Sequence, residues 1–496
     1  MSIPSYYFKE KFIKMGKWSL LPADSENWHG EHTSFYFKKI FGFNKGTTII
    51  HTRMDDLQHP YYPEFFIKKI YKFIADSNRR DYKSLAQKLL GFYNLKRIAQ
   101  KQIPKITVSD FTKISSTKLI SLYKKNRDWA HRVTPYDQFG WIAEDYWNPV
   151  MEKILTSKYG LVKNSVEYYK VLFALTKPEK ISTTLAEKRE VLKSVIQLKI
   201  GSKKLSVVSA SLAKNYGFMP VFTFGTPWGI EYYNDELKQI SKGNLSVLKR
   251  EYEKLLNYTK IRNQEFKATV NKYKISIYDQ QIFIDFGLAL DVRNEAEYLV
   301  SLAGYYLLPM YDEIARRLVL SVKQVRYLYE YEIILALQGK IDPEKVLTKK
   351  GQIMGWGFNK EMSKRYFFTN KEAQQFFKHV ESYVKNLQGG DEQRGLCANN
   401  GVVRGMVKIV VSPEQNNKVK VGDILITHAT TVDYLPAMKR AAAFVTEVGG
   451  LTCHAAVVAR EFGVPCIVAL TNATKNFKDG DFVEVNAGSG TIKKIK

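Results

Sequence analysis

The chain has 496 residues, of which 45% are apolar and 13% aromatic, with only 15 Pro and 30 Gly; that supports about three domain cores and excludes a disordered, collagenous or disulfide-stapled chain. Its three cysteines, Cys397, Cys453 and Cys466, are odd in number and confined to the last hundred residues, which argues against a secreted disulfide framework and for a reducing compartment. The net charge of +27 is not carried by a tail: residues 395–496 hold 12 Lys/Arg against 8 Asp/Glu, so +23 belongs to the first 394 residues. There the basic residues alternate with acids and aromatics, as in KKIYKFIADSNRRDYKSLAQKLL (68–90), which predicts a solvated Lys-rich surface and leaves a nucleic-acid or other polyanion-binding face as the alternative.

The N-terminal MSIPSYYFKEKFIKMGKWSL has charges where a signal peptide needs an apolar core, and no run reaches the ~18 apolar residues of a membrane span. The expected location is the cytoplasm. Trp28-His29-Gly30-Glu31-His32, with His51 and His59 further on, reads as a loop and not as a metal site, because no cysteine and no helix-borne His pair accompanies it. From about residue 60 to 390 apolar residues recur at three- and four-residue spacing, predicting a mainly helical region. Glu144-Asp145 is an adjacent carboxylate pair of the kind found on a solvated helix face. Thr184-Leu185-Ala186-Glu187 and Ser321-Val322-Lys323-Gln324 carry capping-box patterns that open two helices. The stretch YLVSLAGYYLLPMY (298–311) is apolar nearly all round and too short to span a bilayer, which predicts a buried helix.

Around residue 388, through Gln388-Gly389-Gly390-Asp391-Glu392, the text changes to short β-branched runs punctuated by Gly, Asn and Asp. VKIVV (407–411), DILIT (423–427), AAFVT (442–446), PCIVAL (465–470) and FVEV (482–485) read as strands, with one helix, LTCHAAVVAREF, closed by Gly463 and Pro465. The expected organisation is a mainly helical domain over 1–388, divisible into two subdomains, a linker over 389–400 and a β/β/α domain over 401–496. The fold class is therefore multidomain, α followed by α/β.

The segment that carries chemistry is Glu447-Val448-Gly449-Gly450-Leu451-Thr452-Cys453-His454 and the helix it opens. Two glycines turn the chain sharply, and His454 falls in the first helical turn, where unpaired N–H groups and the helix dipole favour an anion. An imidazole is a competent nucleophile at neutral pH, so a phosphoryl group carried on His454 is the chemistry this setting suits. Cys453 and His454 do not form a nucleophile–base dyad, because consecutive helical residues point about 100° apart.

From Gly401-Val402-Val403-Arg404-Gly405 through GDILITHATTVDYLPAMKRAAAFVTEVGGLTCHAAVVAREFGVPCIVAL to the end, about a fifth of the chain, the sequence resembles the mobile phosphohistidine (swivelling) domain of the phosphoenolpyruvate-utilising enzymes, a group that includes phosphoenolpyruvate synthase, pyruvate phosphate dikinase and rifampicin phosphotransferase. The resemblance implies that His454 is transiently phosphorylated, with Gly449, Gly450, Thr452 and Cys453 around the phosphate, and that Thr452 matches a threonine that is a regulatory phosphorylation site in some members. Val432, Ala469 and Asn486 depart from the Pro, Gly and Asp usual in the family. The stretch 312–340 is similar to the helical linker that precedes this domain in phosphoenolpyruvate synthase-like and rifampicin phosphotransferase-like chains, and KNYGFMPVFTFGTPW (214–228) to a tyrosine-glycine turn of the latter's substrate-binding domain.

Residues 1–390 show neither the alternating text of a barrel nor a Gly-rich phosphate loop. The resemblance therefore implies a phosphotransferase component, a carrier joined to a helical acceptor or partner-binding domain, without the ATP-grasp domain that supplies the phosphoryl group in full-length relatives. Mg2+ with ATP or phosphoenolpyruvate is then expected at a donor site on a separate ATP-grasp partner, with a small-molecule acceptor at the helical domain. The alternatives are a non-catalytic interaction or regulatory protein in which the His domain is a phosphorylation-controlled switch, and an enzyme with an unrecognised nucleotide site in residues 1–390.

Overall fold

The computed structural model describes residues 11–14, 30–43, 49–52, 58–80, 82–163, 165–222, 225–350, 353–359, 364–369, 374–376, 378–379, 394–451 and 453–495. The chain forms two compact units, one built from residues 1–143 and 302–387, the other from 144–301 and 388–496. The boundaries at 143/144 and 301/302 fall inside the long helices Ser116–Lys153 and Ile277–Leu318.

The first unit joins helices, among them Glu64–Arg80 and Tyr82–Gln102, to an antiparallel sheet that the helical reading of this region did not place. Its strands β1 (Phe12–Lys14), β2 (Ile49–Thr52), β3 (Gln58–Pro63), β4 (Ile353–Phe358) and β5 (Arg365–Thr369) lie in the order β1-β3-β2-β4-β5. Residues just over 300 positions apart thus pair, Ile50 opposite Trp356, which no local pattern announces. Its core is aromatic: Phe41 stacks on Phe139 at 4.4 Å, with Phe37 and Phe66 edge-on nearby. Where a loop was expected around residues 28–32, a helix, Glu31–Phe41, starts directly after Gly30; His29 lies outside the described residues, and the His32 ring packs 5.3 Å from that of His131. The Ser321 capping box forms as read, but its helix stops at Tyr327 and a second runs from Glu330 to Leu337.

In the second unit, helices Val166–Thr176, Thr183–Lys199, Leu205–Tyr216, Ile230–Ile240, Leu245–Leu256 and Tyr258–Tyr273 precede the start of the long helix Ile277–Leu318. Ser182, not Thr184, caps the helix Thr183–Lys199, its hydroxyl accepting from the Leu185 N–H; the expected cap was two residues late, and Glu187 is left for another use. The stretch 298–311 is helical and mostly buried, with Pro309 inside the helix.

The sheet of this unit contains the five expected strands, now β7 (Val402–Ile409), β8 (Ile424–Thr427), β9 (Ala443–Thr446), β10 (Cys466–Val468) and β11 (Phe482–Asn486), together with β6 (Leu396–Asn399) and β12 (Thr491–Lys494). Their order is β12-β11-β7-β8-β9-β10-β6. β7, β8, β9 and β10 run parallel; β11 pairs antiparallel with β7, and β12 and β6 are the antiparallel edges. β8, β9 and β10 are buried along their whole length, so they read as continuous apolar runs and not as alternating ones. One hydrophobic core runs from this domain into the helical segment, joining Leu435, Ala437, Met438 and Phe444 to Leu192, Val195, Tyr233 and Leu237.

Candidate functional site

In an open parallel sheet the carboxyl ends of adjacent strands form the natural crevice. Here the loops after β8 and β9 share it. The loop after β9 turns at Gly449, whose φ of +118° only glycine adopts comfortably, and a Cβ there would lie 2.8 Å from Cys453 Sγ. Gly450 is less constrained: a Cβ would meet only Asn148 Nδ2, at 3.6 Å. Cys453 is the N-cap of the helix His454–Phe462, and Gly463 closes it in the left-handed conformation with φ +72°.

His454 is therefore the first helical residue, and it is 5% exposed. Its Nδ1 lies 2.9 Å from Thr430 Oγ1, in the loop that follows β8. Among the described residues its Nε2 is buried without a hydrogen-bond partner. Burial, reinforced by the Arg293 guanidinium, pushes the imidazole down to about 3, so it is neutral at physiological pH. With Nδ1 bearing the proton and donating to Thr430, Nε2 holds the free lone pair of a nucleophile. Burial pushes the Cys453 thiol up, so the neighbouring sulfur stays protonated and no dyad forms.

The helical segment supplies the surroundings. Arg293, 2% exposed, approaches Glu144 Oε1 at 2.9 Å and Glu297 at 3.7 Å. Glu144 and Asp145 were both expected to be solvated; Asp145 is exposed, but Glu144 is 13% exposed and engaged by Arg293. Adjacent helical residues point about 100° apart, and only the Glu144 direction meets the buried Arg293 guanidinium. On the His454 helix itself, Arg460 donates to the Ala456 carbonyl at 2.8 Å and lies 4.3 Å above the Phe173 ring, and Glu461 accepts from the Ser182 hydroxyl at 2.6 Å.

Of the residues singled out in the sequence, the fold brings His454, Gly449, Gly450 and Cys453 together, while Thr452 lies outside the described residues. Thr430, Arg293 and Glu144 were missed. Arg293 had a visible signal: DVRNEAE (291–297) is a charged run in the middle of an otherwise apolar helix, and buried charges need partners. Among the described residues, no group of three or more His, Cys, Asp or Glu is placed to hold a metal ion, and no helix is long and apolar enough to cross a membrane.

Residues 419–490, which contain this helix and His454, match the model of the PEP-utilising enzyme, mobile domain. Curated proteins similar to this chain include phosphoenolpyruvate synthases. A probable phosphoenolpyruvate synthase of Archaeoglobus fulgidus is 52% identical over 112 residues, 23% of this chain and 15% of that protein. The phosphoenolpyruvate synthases of Pyrococcus furiosus (37% over 147 residues, 29% of this chain and 18% of the relative) and Escherichia coli (39% over 111 residues, 22% and 14%) match likewise. The chain thus spans less than a fifth of the length of these relatives, over matched stretches of 111 to 147 residues.

Proposed function

We propose that the chain is a phosphotransferase component in which His454 carries a phosphoryl group from a donor site to an acceptor held at the helical segment 144–301. The observation that carries this reading is the buried His454 Nε2, without a partner among the described residues, with Nδ1 engaged by Thr430. In the first step Nε2 forms a bond to phosphorus while the phosphorus–oxygen bond to the donor's leaving group breaks. In the second the N–P bond breaks, phosphorus bonds to an acceptor oxygen, and the acceptor's proton leaves to a base. The donor is ATP with Mg2+ on a separate ATP-grasp protein, or phosphoenolpyruvate. Arg293 lies close enough to act on the imidazole electrostatically, and an Arg fork suits phosphoryl oxygens.

The test is mass spectrometry of the intact protein at alkaline pH, which preserves phosphohistidine, after incubation with Mg-ATP or phosphoenolpyruvate, with and without extract of the source cells. A phosphoryl-sized gain in the wild type that is absent in His454→Ala is the expected result; an equal gain in both would place the phosphoryl group elsewhere and sink the reading. If His454 is phosphorylated but no acceptor is turned over, the domain is a phosphorylation-controlled switch of an interaction protein, a reading favoured by how fully this histidine is buried.

A further inference from the structure

A carrier must expose its nucleophile to a donor, yet His454 is 5% exposed, its loop rests beside Asn148 and its helix is bonded to Ser182 through Glu461. Among the contacts that hold the domain there is an ion cluster around Lys439, a residue of the short turn after the helix Leu435–Met438. Its ammonium donates to Glu187 Oε1 at 2.7 Å and Glu236 Oε1 at 2.9 Å. The three side chains are 12%, 1% and 16% exposed. The ammonium also lies 4.3 Å from the centre of the Trp228 ring, which stacks on Tyr232 at 4.7 Å. Both carboxylates and both rings belong to the helical segment, and Lys439 belongs to the histidine domain. Around this ion cluster, Leu435, Ala437 and Met438 continue into the apolar core of Leu192, Val195 and Leu237.

A buried charge without its partners is among the costliest states a protein can hold. Lys439 withdrawn from this nest leaves Glu187, 1% exposed, to find water or a proton, so the contact opposes partial separation of the histidine domain from the helical segment. We propose that Lys439, held by Glu187 and Glu236 under Trp228, is the latch that seats the histidine domain on the helical segment and seals His454, and that His454 reacts with an external electrophile only after this latch opens. Its meaning for phosphoryl transfer rests on the carrier reading given above; the latch itself does not.

Diethyl pyrocarbonate separates the two. It transfers an ethoxycarbonyl group to a neutral imidazole nitrogen, releasing carbon dioxide and ethanol, and needs neither donor nor acceptor. Site-resolved rates on the full chain, read by peptide mass spectrometry, compare His454 with His428, which lies in the same domain with its side chain 34% exposed. In the wild type His454 is expected to react at least tenfold more slowly than His428. In Lys439→Glu its rate should rise at least tenfold, and in Glu236→Gln, which removes one of the two carboxylates, severalfold, with His428 unchanged within twofold in each. Equal rates at His454 and His428 in the wild type, or a His454 rate that neither variant raises, overturn the latch. If both variants instead change the His428 rate and lose far-UV ellipticity, Lys439 maintains the fold of the domain and not its seating, which also overturns the proposal. A failed carrier reading appears separately, as absent phosphohistidine in an opened variant supplied with donor extract.

Discussion

His454→Gln removes a base whose protonation the fold opposes, and its burial sizes the effect. An ordinary histidine titrates near 6.5, and in the folded chain His454 is pushed down to about 3. Between those values the unfolded chain binds a proton that the folded chain refuses, so the stability contributed by the neutral form is complete above pH 6.5 and is lost as pH falls. At pH 5 the unfolded chain is protonated at this site and the folded one is not. The loss relative to pH 8 is about 2 kcal/mol, 1.5 pH units at ~1.36 kcal/mol each. Other buried groups titrate in the same window, among them Glu187 and Glu461, both pushed up to about 7 by burial, so the quantity to measure is a difference between chains. Urea unfolding of wild type and His454→Gln, followed by pulsed hydrogen exchange on peptides covering β8 and β9, gives the stability of this domain at pH 8 and pH 5. The advantage of the wild type over the variant should shrink, or its deficit grow, by about 2 kcal/mol on going to pH 5. A difference that stays constant across the two pH values would mean that His454 is protonated as easily folded as unfolded, and the sealed, neutral nucleophile would have to be abandoned.

Ala469, just after β10, is held at φ +57°, where an L-residue is strained; Ala469→Gly is expected to raise stability by roughly 0.5–1 kcal/mol, read as a higher melting temperature, and a lower one would mean that the methyl group's packing outweighs the strain. Gly449→Ala should destabilise the domain by about 1–3 kcal/mol, because it combines a φ of +118° with a 2.8 Å approach to Cys453 Sγ, whereas Gly450→Ala should change it by less than about 1 kcal/mol; equal effects in thermal melts would remove the distinction. Arg293→Met leaves Glu144 buried without its cation and should cost about 3–5 kcal/mol, most of it recovered in Arg293→Met/Glu144→Gln. A double variant as unstable as the single one would show that the guanidinium acts through other contacts.

The C-terminal domain was legible because its information is local. Gly449 and Gly450 before a small-residue helix, Gly463 after it, and apolar runs of four or five residues specify a strand, a sharp turn, a helix and the next strand within twenty-five residues, and His454 falls at the helix start by spacing alone. β6 and β12 escaped because they are edge strands whose partners, Cys466–Val468 and Phe482–Asn486, define them better than their own composition does. Ala469 shows a finer limit: the departure from glycine was visible, but only the backbone angle turns it into strain. The unread part of the site consists of pairs whose members are far apart in the chain. Arg293 and Glu144 are 149 positions apart, Lys439 and Glu187 252. A charged residue in a helix looks the same in sequence whether it faces water or a partner, and solvent is the commoner case, so Glu144 was read as part of a wet surface. The capping pattern at Thr184–Glu187 misled for a related reason. An acid three residues after a threonine satisfies the local rule, yet Ser182 supplies the cap and Glu187 is spent on Lys439 in the other domain. Local rules assign a side chain to its nearest unmet need; here the larger need was a buried ammonium, and the geometry that decides between them exists only after the two segments have met.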